Sequence, residues 1–259
     1  MQSKSVTRPK QLPPRHGLAR VISKLGLGSR SQAADWVAQG RVRVNGHLVG
    51  DAEFPVRQGI DRIEIEGRQA ARGDRIVLML NKPRGLVTTR VDEKGRDTVY
   101  SCLEDADFGW LAPVGRLDKA SEGLLLFTND PEWASAITSP NSGPDKLYHV
   151  QVDRIPDVDL LDALVRGVTS DGEQLAARTA TVLRQGARNA WLEIVLDEGR
   201  NRQIRRLLQA FDVRVLRLLR IGIGPLRLST LAKGAWRQLQ VDEIESLSGP
   251  AAKQSSATP

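Results

Sequence analysis

The sequence predicts an α+β protein, with a small αα-β domain ahead of a larger domain built on a mostly antiparallel mixed sheet with flanking helices. Three observations predict it. Apolar residues recur at a helical period up to about residue 40 and at a strand period directly after it. From residue 76 onward, strand-like runs and helical stretches interleave without the regular βα spacing of a doubly wound sheet. The chain's 259 residues, 40% of them hydrophobic, supply apolar side chains for one to two cores.

Residues 1–14 carry three basic residues, three prolines and no acidic residue, which predicts a flexible basic arm. Leu18, Val21, Ile22 and Leu25 then share one face of a short helix that stops at Gly26-Leu27-Gly28. Ser29 followed by Gln32 forms a capping-box pattern for a second helix. Ala33, Ala34, Trp36 and Val37 supply its buried stripe, and Gly40 sits where a left-handed cap belongs. The period changes to two at Arg41, and Asn45-Gly46 predicts a type I′ hairpin turn. The alternation at Ile63–Glu66 reads as a last strand before a polar, Gly-containing linker, placing a domain boundary near residue 72. The first domain is therefore expected over 15–72, the second over 73–247, and a disordered tail over 248–259. Ile76–Leu80 reads as a buried strand ended by a turn at Asn81–Gly85. Further strands are expected at 124–128, 147–153, 178–184 and 190–196, and helices at 131–138, 157–166 and 202–210.

Composition excludes several classes. A single cysteine, Cys102, permits no internal disulfide, and the three histidines are too scattered for a metal site, so no metal is expected. Neither GxxxxGK[ST] nor GxGxxG follows an apolar strand, and no cofactor is expected. No run approaches the length of a membrane span, and the N-terminus lacks the apolar core of a secretory signal, which predicts a cytoplasmic protein without membrane contact. The net charge of +7 hides a segregation: +7 over residues 1–57, −6 over 58–197, +8 over 198–237 and −2 over the remainder. Clustered like charges repel, and a polyanionic partner relieves that cost through counterion release. With aromatics at only 4%, contacts to a nucleic acid should rest on phosphates and shape rather than on base stacking.

The stretch SRSQAADWVAQGRVRVNGHLV, with its cap, glycine stop, Asn-Gly turn and charge, resembles the heart of the S4 RNA-binding module. That resemblance implies that Arg15, Arg20, Lys24, Arg30, Arg41 and Arg43 face folded RNA. The bland alternative is a mini-domain whose arginines are only solvated.

Four polar stretches mark the second domain: KPRG at 82–85, GRLDKASEGLLLFTND at 115–130, KLYHV at 146–150 and EGRNRQIRRLL at 198–208. Alone, Asp118 fits a helix cap or turn carboxylate. As an ordered set, the four resemble the bacterial RsuA/RluB/RluE/RluF family of ribosomal pseudouridine synthases, over residues from about 15 to 240. This implies an isomerisation of uridine in ribosomal RNA that gains and loses no atoms and needs neither redox cofactor nor energy source. It implies Asp118 as the catalytic carboxylate, either as nucleophile or as the group that helps remove the 2′ proton. It implies Arg205 as the guanidinium partner of Asp118, and Tyr148 as the ring that packs on the target base. Arg116 is a candidate for the flipped nucleotide's phosphate or for the gap it leaves, against a loop salt bridge. Lys82 and Arg84 could touch phosphates, although bracing of the catalytic loop is the preferred role. Arg202, Arg205 and Arg206 share one face of the expected helix, and part of that set should meet RNA. Ser121-Glu122-Gly123 lacks the GxSxG elbow and reads as a turn and helix start. The competing functional reading is a noncatalytic S4-type RNA-binding or ribosome-assembly factor, and a glycosidase is weaker because no group is assigned to activate water. Nothing suggests an assembly beyond a monomer.

Overall fold

The computed structural model describes residues 12–105, 107–140 and 142–248. The expected basic arm up to Gln11 and the expected tail beyond Ser248 lie outside these residues. The chain forms two compact units, one ending at Asp74 and the other starting at Arg75. No helix among the described residues is long and apolar enough to cross a membrane.

In the first unit, strand β1 (His16–Gly17) leads into α1 (Leu18–Lys24), α2 (Arg30–Ala38), β2 (Val42–Val44), β3 (His47–Leu48), β4 (Pro55–Val56), β5 (Ile63–Ile65) and β6 (Arg68–Gln69). The start of α2 is fixed reciprocally, since Ser29 Oγ accepts from Gln32 N at 3.1 Å and Gln32 Oε1 accepts from Ser29 N at 3.0 Å. Gly40, at φ +69°, ends the helix, and Asn45 and Gly46 at φ +51° and +84° close the β2–β3 turn. The helices lay Leu18, Val21, Ile22, Ala33 and Val37 on the sheet residues Val42, Val44 and Ile63. Truncating fully enclosed Ile22 to Ala is expected to cost about 2–5 kcal/mol.

The second unit comprises β7 (Val77–Lys82), a 3-10 turn (Val99–Leu103), β8 (Ala112–Val114), β9 (Glu122–Thr128), α3 (Pro131–Thr138), β10 (Lys146–Val152), α4 (Val158–Arg166), β11 (Val168–Ser170), β12 (Glu173–Leu175), β13 (Thr179–Gln185), β14 (Ala190–Leu196), α5 (Gln203–Gln209), β15 (Val215–Ile223), β16 (Leu226–Arg227), β17 (Trp236–Gln238) and α6 (Val241–Ser248). A nine-stranded sheet runs β13-β14-β10-β15-β9-β7-β17, with β16 beside β15 and β8 beside β9. All its pairings are antiparallel except β15 with β9. The expected mostly antiparallel mixed sheet is therefore present.

The parallel seam joins the two halves of this sheet. Gly123 lies opposite Arg220 there at φ +101°, and a Cβ at Gly123 would fall 2.2 Å from the Arg220 carbonyl oxygen. Only glycine permits that approach. One core packs α4 and α5 against β10 and β14, and another packs α3 and α6 against β7 and β9.

Three details differ from the expectations. Strand β7 runs on through Lys82, because Asn81 and Lys82 still pair with Leu124 and Gly123. Glu122 opens a strand rather than a helix, since the apolar run behind it is enclosed on both faces in the middle of the sheet. The long central strand β15 occupies residues assigned only to a basic block.

Candidate active site

Asp118 lies on the loop between β8 and β9, and that loop is held by its carbonyl oxygens. Lys82 Nζ donates to the carbonyls of Ser121 at 2.8 Å, Pro83 at 3.1 Å and Asp118 at 3.2 Å. Thr88 Oγ1 donates to Leu117 O at 2.7 Å, Gly85 N to Lys119 O at 2.8 Å, and Arg205 Nη2 to Ala120 O at 3.3 Å. Lys82 is completely enclosed. Burial pulls its ammonium down to about 8, against the opposing pull of the Asp118 and Glu122 carboxylates. A buried cation that satisfies three carbonyls in this way fixes the loop's shape, leaving the Asp118 side chain about one-third exposed.

That side chain borders a cavity of about 170 Å³. Leu196, Ile204, Leu218 and Ile223 provide an apolar wall, Tyr148 lies among them, and Arg116, Arg202 and Arg220 contribute cations. Strand β10 alternates cleanly, so Tyr148 takes the buried face with Val150 and Val152, while His149 faces the other way toward Glu193 at 3.4 Å. The mixture of an apolar slot, one carboxylate and several guanidiniums suits a flat, neutral ring attached to an anionic backbone.

The cation nearest Asp118 is Arg202, with Nη1 3.6 Å from Oδ2. Arg202 caps α5 in the left-handed conformation at φ +48°, a strained choice for a side chain with a Cβ. The preceding loop imposes it: enclosed Gln203 donates to Ala176 O at 3.1 Å and Glu198 Oε1 at 3.0 Å, and accepts from Arg200 N at 3.0 Å.

Arg205 does not hold both Asp118 oxygens, as the resemblance implied. Its guanidinium donates to Ala120 O and, at 3.5 Å, to Val215 O, and it lines a neighbouring groove with Arg214 and Asp153. Burial works against its charge, as do Arg202 and Arg84, while Asp118 supports it. It therefore acts on the carboxylate through space and through the loop.

The remaining expected residues divide. Arg116 is exposed at the cavity mouth and makes no ion pair with any described residue, so the loop salt bridge is not its role. Lys82 is the brace and, being enclosed, cannot meet phosphate. Arg84 is exposed. Arg206 does not line the cavity and is tied to Asp171, Glu173 and the Ser170 carbonyl. These partners occupy the guanidinium that the sequence placed on an RNA-facing surface. In the first unit, Arg15, Arg20, Arg30 and Arg43 are exposed and Lys24 is half-buried. Arg41 instead donates to Glu66 at 2.9 Å and lies 5.7 Å from the Trp36 ring centre.

Ser121, Lys146, Arg200, Gln203 and Arg220 also line the cavity, where the sequence reading assigned them no role. Along β15 Leu218, Arg220, Gly222 and Ile223 are the buried residues, and nothing in the sequence set this arginine apart from the basic block around it. Among the described residues no group of His, Cys, Asp or Glu is placed to hold a metal.

Comparison with known proteins agrees with this geometry. The family model "RNA pseudouridylate synthase" matches residues 76–210, and the S4 domain model matches residues 17–60. A Bacillus subtilis protein named ribosomal large subunit pseudouridine synthase B is 34% identical over 232 residues, covering 89% of this chain and 94% of that one. A Pseudomonas aeruginosa protein of the same name is 36% identical over 244 residues, covering 92% of this chain and 63% of the other. A crystal structure of a pseudouridylate synthase superposes with TM-score 0.62 at 32% identity, covering 92% of this chain and 100% of that one. With a family match over half its length and a Bacillus relative 34% identical over 94% of that protein, the chain belongs to the RNA pseudouridine synthase family, among the members that carry an S4 domain.

Proposed function

We propose that this chain converts one uridine of ribosomal RNA to pseudouridine, acting in the cytoplasm as a monomer and without metal or nucleotide cofactor. The observation that carries the reading is that Asp118 and Tyr148 border one cavity whose other walls are apolar and cationic. In this reading Tyr148 packs on the flipped-out base and the Asp118 carboxylate acts at the sugar, either on C1′ or on the 2′ proton. Arg202 steadies the carboxylate directly, and Arg205 and Lys82 do so through the loop. Arg116 takes the backbone at the mouth, where a base drawn out of its stack must leave its phosphate. The exposed Arg15, Arg20, Arg30 and Arg43 of the first unit hold folded RNA by its phosphates. The names of the Bacillus and Pseudomonas relatives support ribosomal RNA as the substrate, and those names specify the large subunit.

The test is a pseudouridine map of ribosomal RNA from cells lacking this protein. One site is expected to disappear, to return with the wild-type chain, and to stay absent with Asp118→Asn. Full restoration by the Asn variant refutes the assignment.

A further inference from the structure

The cavity wall contains a charged group that no carboxylate among the described residues neutralises. Arg220 is 6% exposed. Its Nε donates to Leu124 O at 2.8 Å, its Nη2 is enclosed with no partner, and it forms no ion pair with any described residue. The contrast within the same strand is sharp: Arg217, on the opposite face, meets the Glu122 carboxylate at 3.1 Å. An enclosed guanidinium nitrogen without a partner is costly, and such a group persists where an acceptor arrives from outside. A second orphan, the enclosed hydroxyl of Ser121, lies in the same wall.

The position of Arg220 indicates which acceptor. On one side it is the register neighbour of Tyr148, and on the other it is the neighbour of Gly123, in the strand that follows the Asp118 loop. Directly opposed residues of a sheet project from the same face, so Arg220 shares a face with Tyr148, and both line the cavity that Asp118 borders. Beside the Tyr148 ring and the apolar side chains of Leu196, Leu218 and Ile223, the acceptor that fits is the carbonyl edge of a uracil.

We propose that Arg220 holds a carbonyl oxygen of the target uracil and stabilises the negative charge which the base acquires on detachment. This rests on the function proposed above. When the N1–C1′ bond breaks, its electron pair remains on the uracil and spreads over the ring and its carbonyl oxygens. The base turns, C5 bonds to C1′, the C5 proton leaves and N1 takes up a proton, so no net charge remains. Arg220 is matched to the charged interval between these steps, where a preorganised donor in a water-poor site has its largest effect.

The experiment follows tritium release by the purified full-length chain from ribosomal RNA labelled with [5-³H]uridine and isolated from cells lacking this protein. Arg220→Met is expected to release tritium about a hundredfold more slowly. Arg220→Lys, which keeps the charge, should stay within about tenfold of wild type, with both variants melting close to wild type. If Arg220→Met does not fold, Arg220→Gln, which can still donate to Leu124 O, replaces it with the same expectation. A neutral variant within threefold of wild type, or a folded Lys variant as slow as the neutral one, overturns the proposal. Asp118→Asn in the same assay separates the two ideas. Full activity of that variant defeats the function on which the proposal rests, while an inactive Asn variant beside an active Arg220→Met defeats the role of Arg220 alone.

Discussion

Two stretches of this chain carry nearly the same excess of positive charge, +7 over residues 1–57 and +8 over 198–237, yet they use it in different ways. In the first, Arg15, Arg20, Arg30 and Arg43 reach into solvent. In the second, most of the guanidiniums are turned inward or paired. Arg205 holds two carbonyls, Arg206 ties α5 to the β11–β12 hairpin, and Arg217 and Lys233 converge on enclosed Glu122. Arg237 grips Glu243 on α6, and Arg220 sits in the cavity wall. Burial alone would raise the Glu122 carboxyl, but Arg217 and Lys233 override it and hold it below its ordinary value. A cluster of like charges in sequence thus has two physical solutions, a polyanion outside or carboxylates and carbonyls inside.

The largest effect that sharpens this contrast should come from the most enclosed cation. Lys82→Met leaves two carbonyls of the catalytic loop, those of Asp118 and Ser121, and the Pro83 carbonyl without this donor. It is expected to lower stability by roughly 3–5 kcal/mol in urea unfolding and to reduce turnover far more than RNA affinity. Unchanged turnover would mean that the loop does not need its brace. Next comes Arg206→Ala, which should cost about 1.5–3 kcal/mol while RNA affinity stays within twofold. A large loss of affinity at unaltered melting temperature would return Arg206 to the RNA-facing set. Joint replacement of Arg20 and Arg30 by Ala should do the opposite. Stability should hold within about 0.5 kcal/mol, while the slope of log affinity against log salt becomes shallower by about two. An unaltered slope would break the comparison on the side of the first unit.

Lys82 also predicts a pH dependence. The folded-state value of Lys82, about 8, lies below its ordinary 10.5, so between these pH values the unfolded chain binds the extra proton. Wild-type stability relative to Lys82→Met should therefore rise with pH from about 8 to 10.5, by no more than about 1.4 kcal/mol per unit. A fall over that window would contradict a depressed lysine.

Local signals in the sequence were sufficient wherever neighbours along the chain decide the structure. Ser29 with Gln32 sets α2. Asp130 ahead of Pro131 sets α3, where its carboxylate accepts from Glu132 N and Trp133 N at 3.1 Å. Asn45-Gly46 sets the hairpin. Strand β15 was hidden because its arginines at 217 and 220 mimic a solvated basic run, and their partners are remote: Glu122 lies 95 residues from Arg217, and Leu124 lies 96 from Arg220. The pairing of Asp118 was obscured for a related reason. Motif order identifies Arg205, but a left-handed turn at Arg202 decides which guanidinium reaches the carboxylate, and no residue type announces that turn.

The central claim is that one braced carboxylate does the chemistry while other residues hold the RNA. Its most direct test compares wild type with Asp118→Asn in a single-turnover assay on ribosomal RNA from cells lacking this protein, reading both bound RNA and pseudouridine formed. The account predicts equal binding with product formation lowered at least about a hundredfold in the Asn variant. Product formed at the wild-type rate by that variant would contradict it.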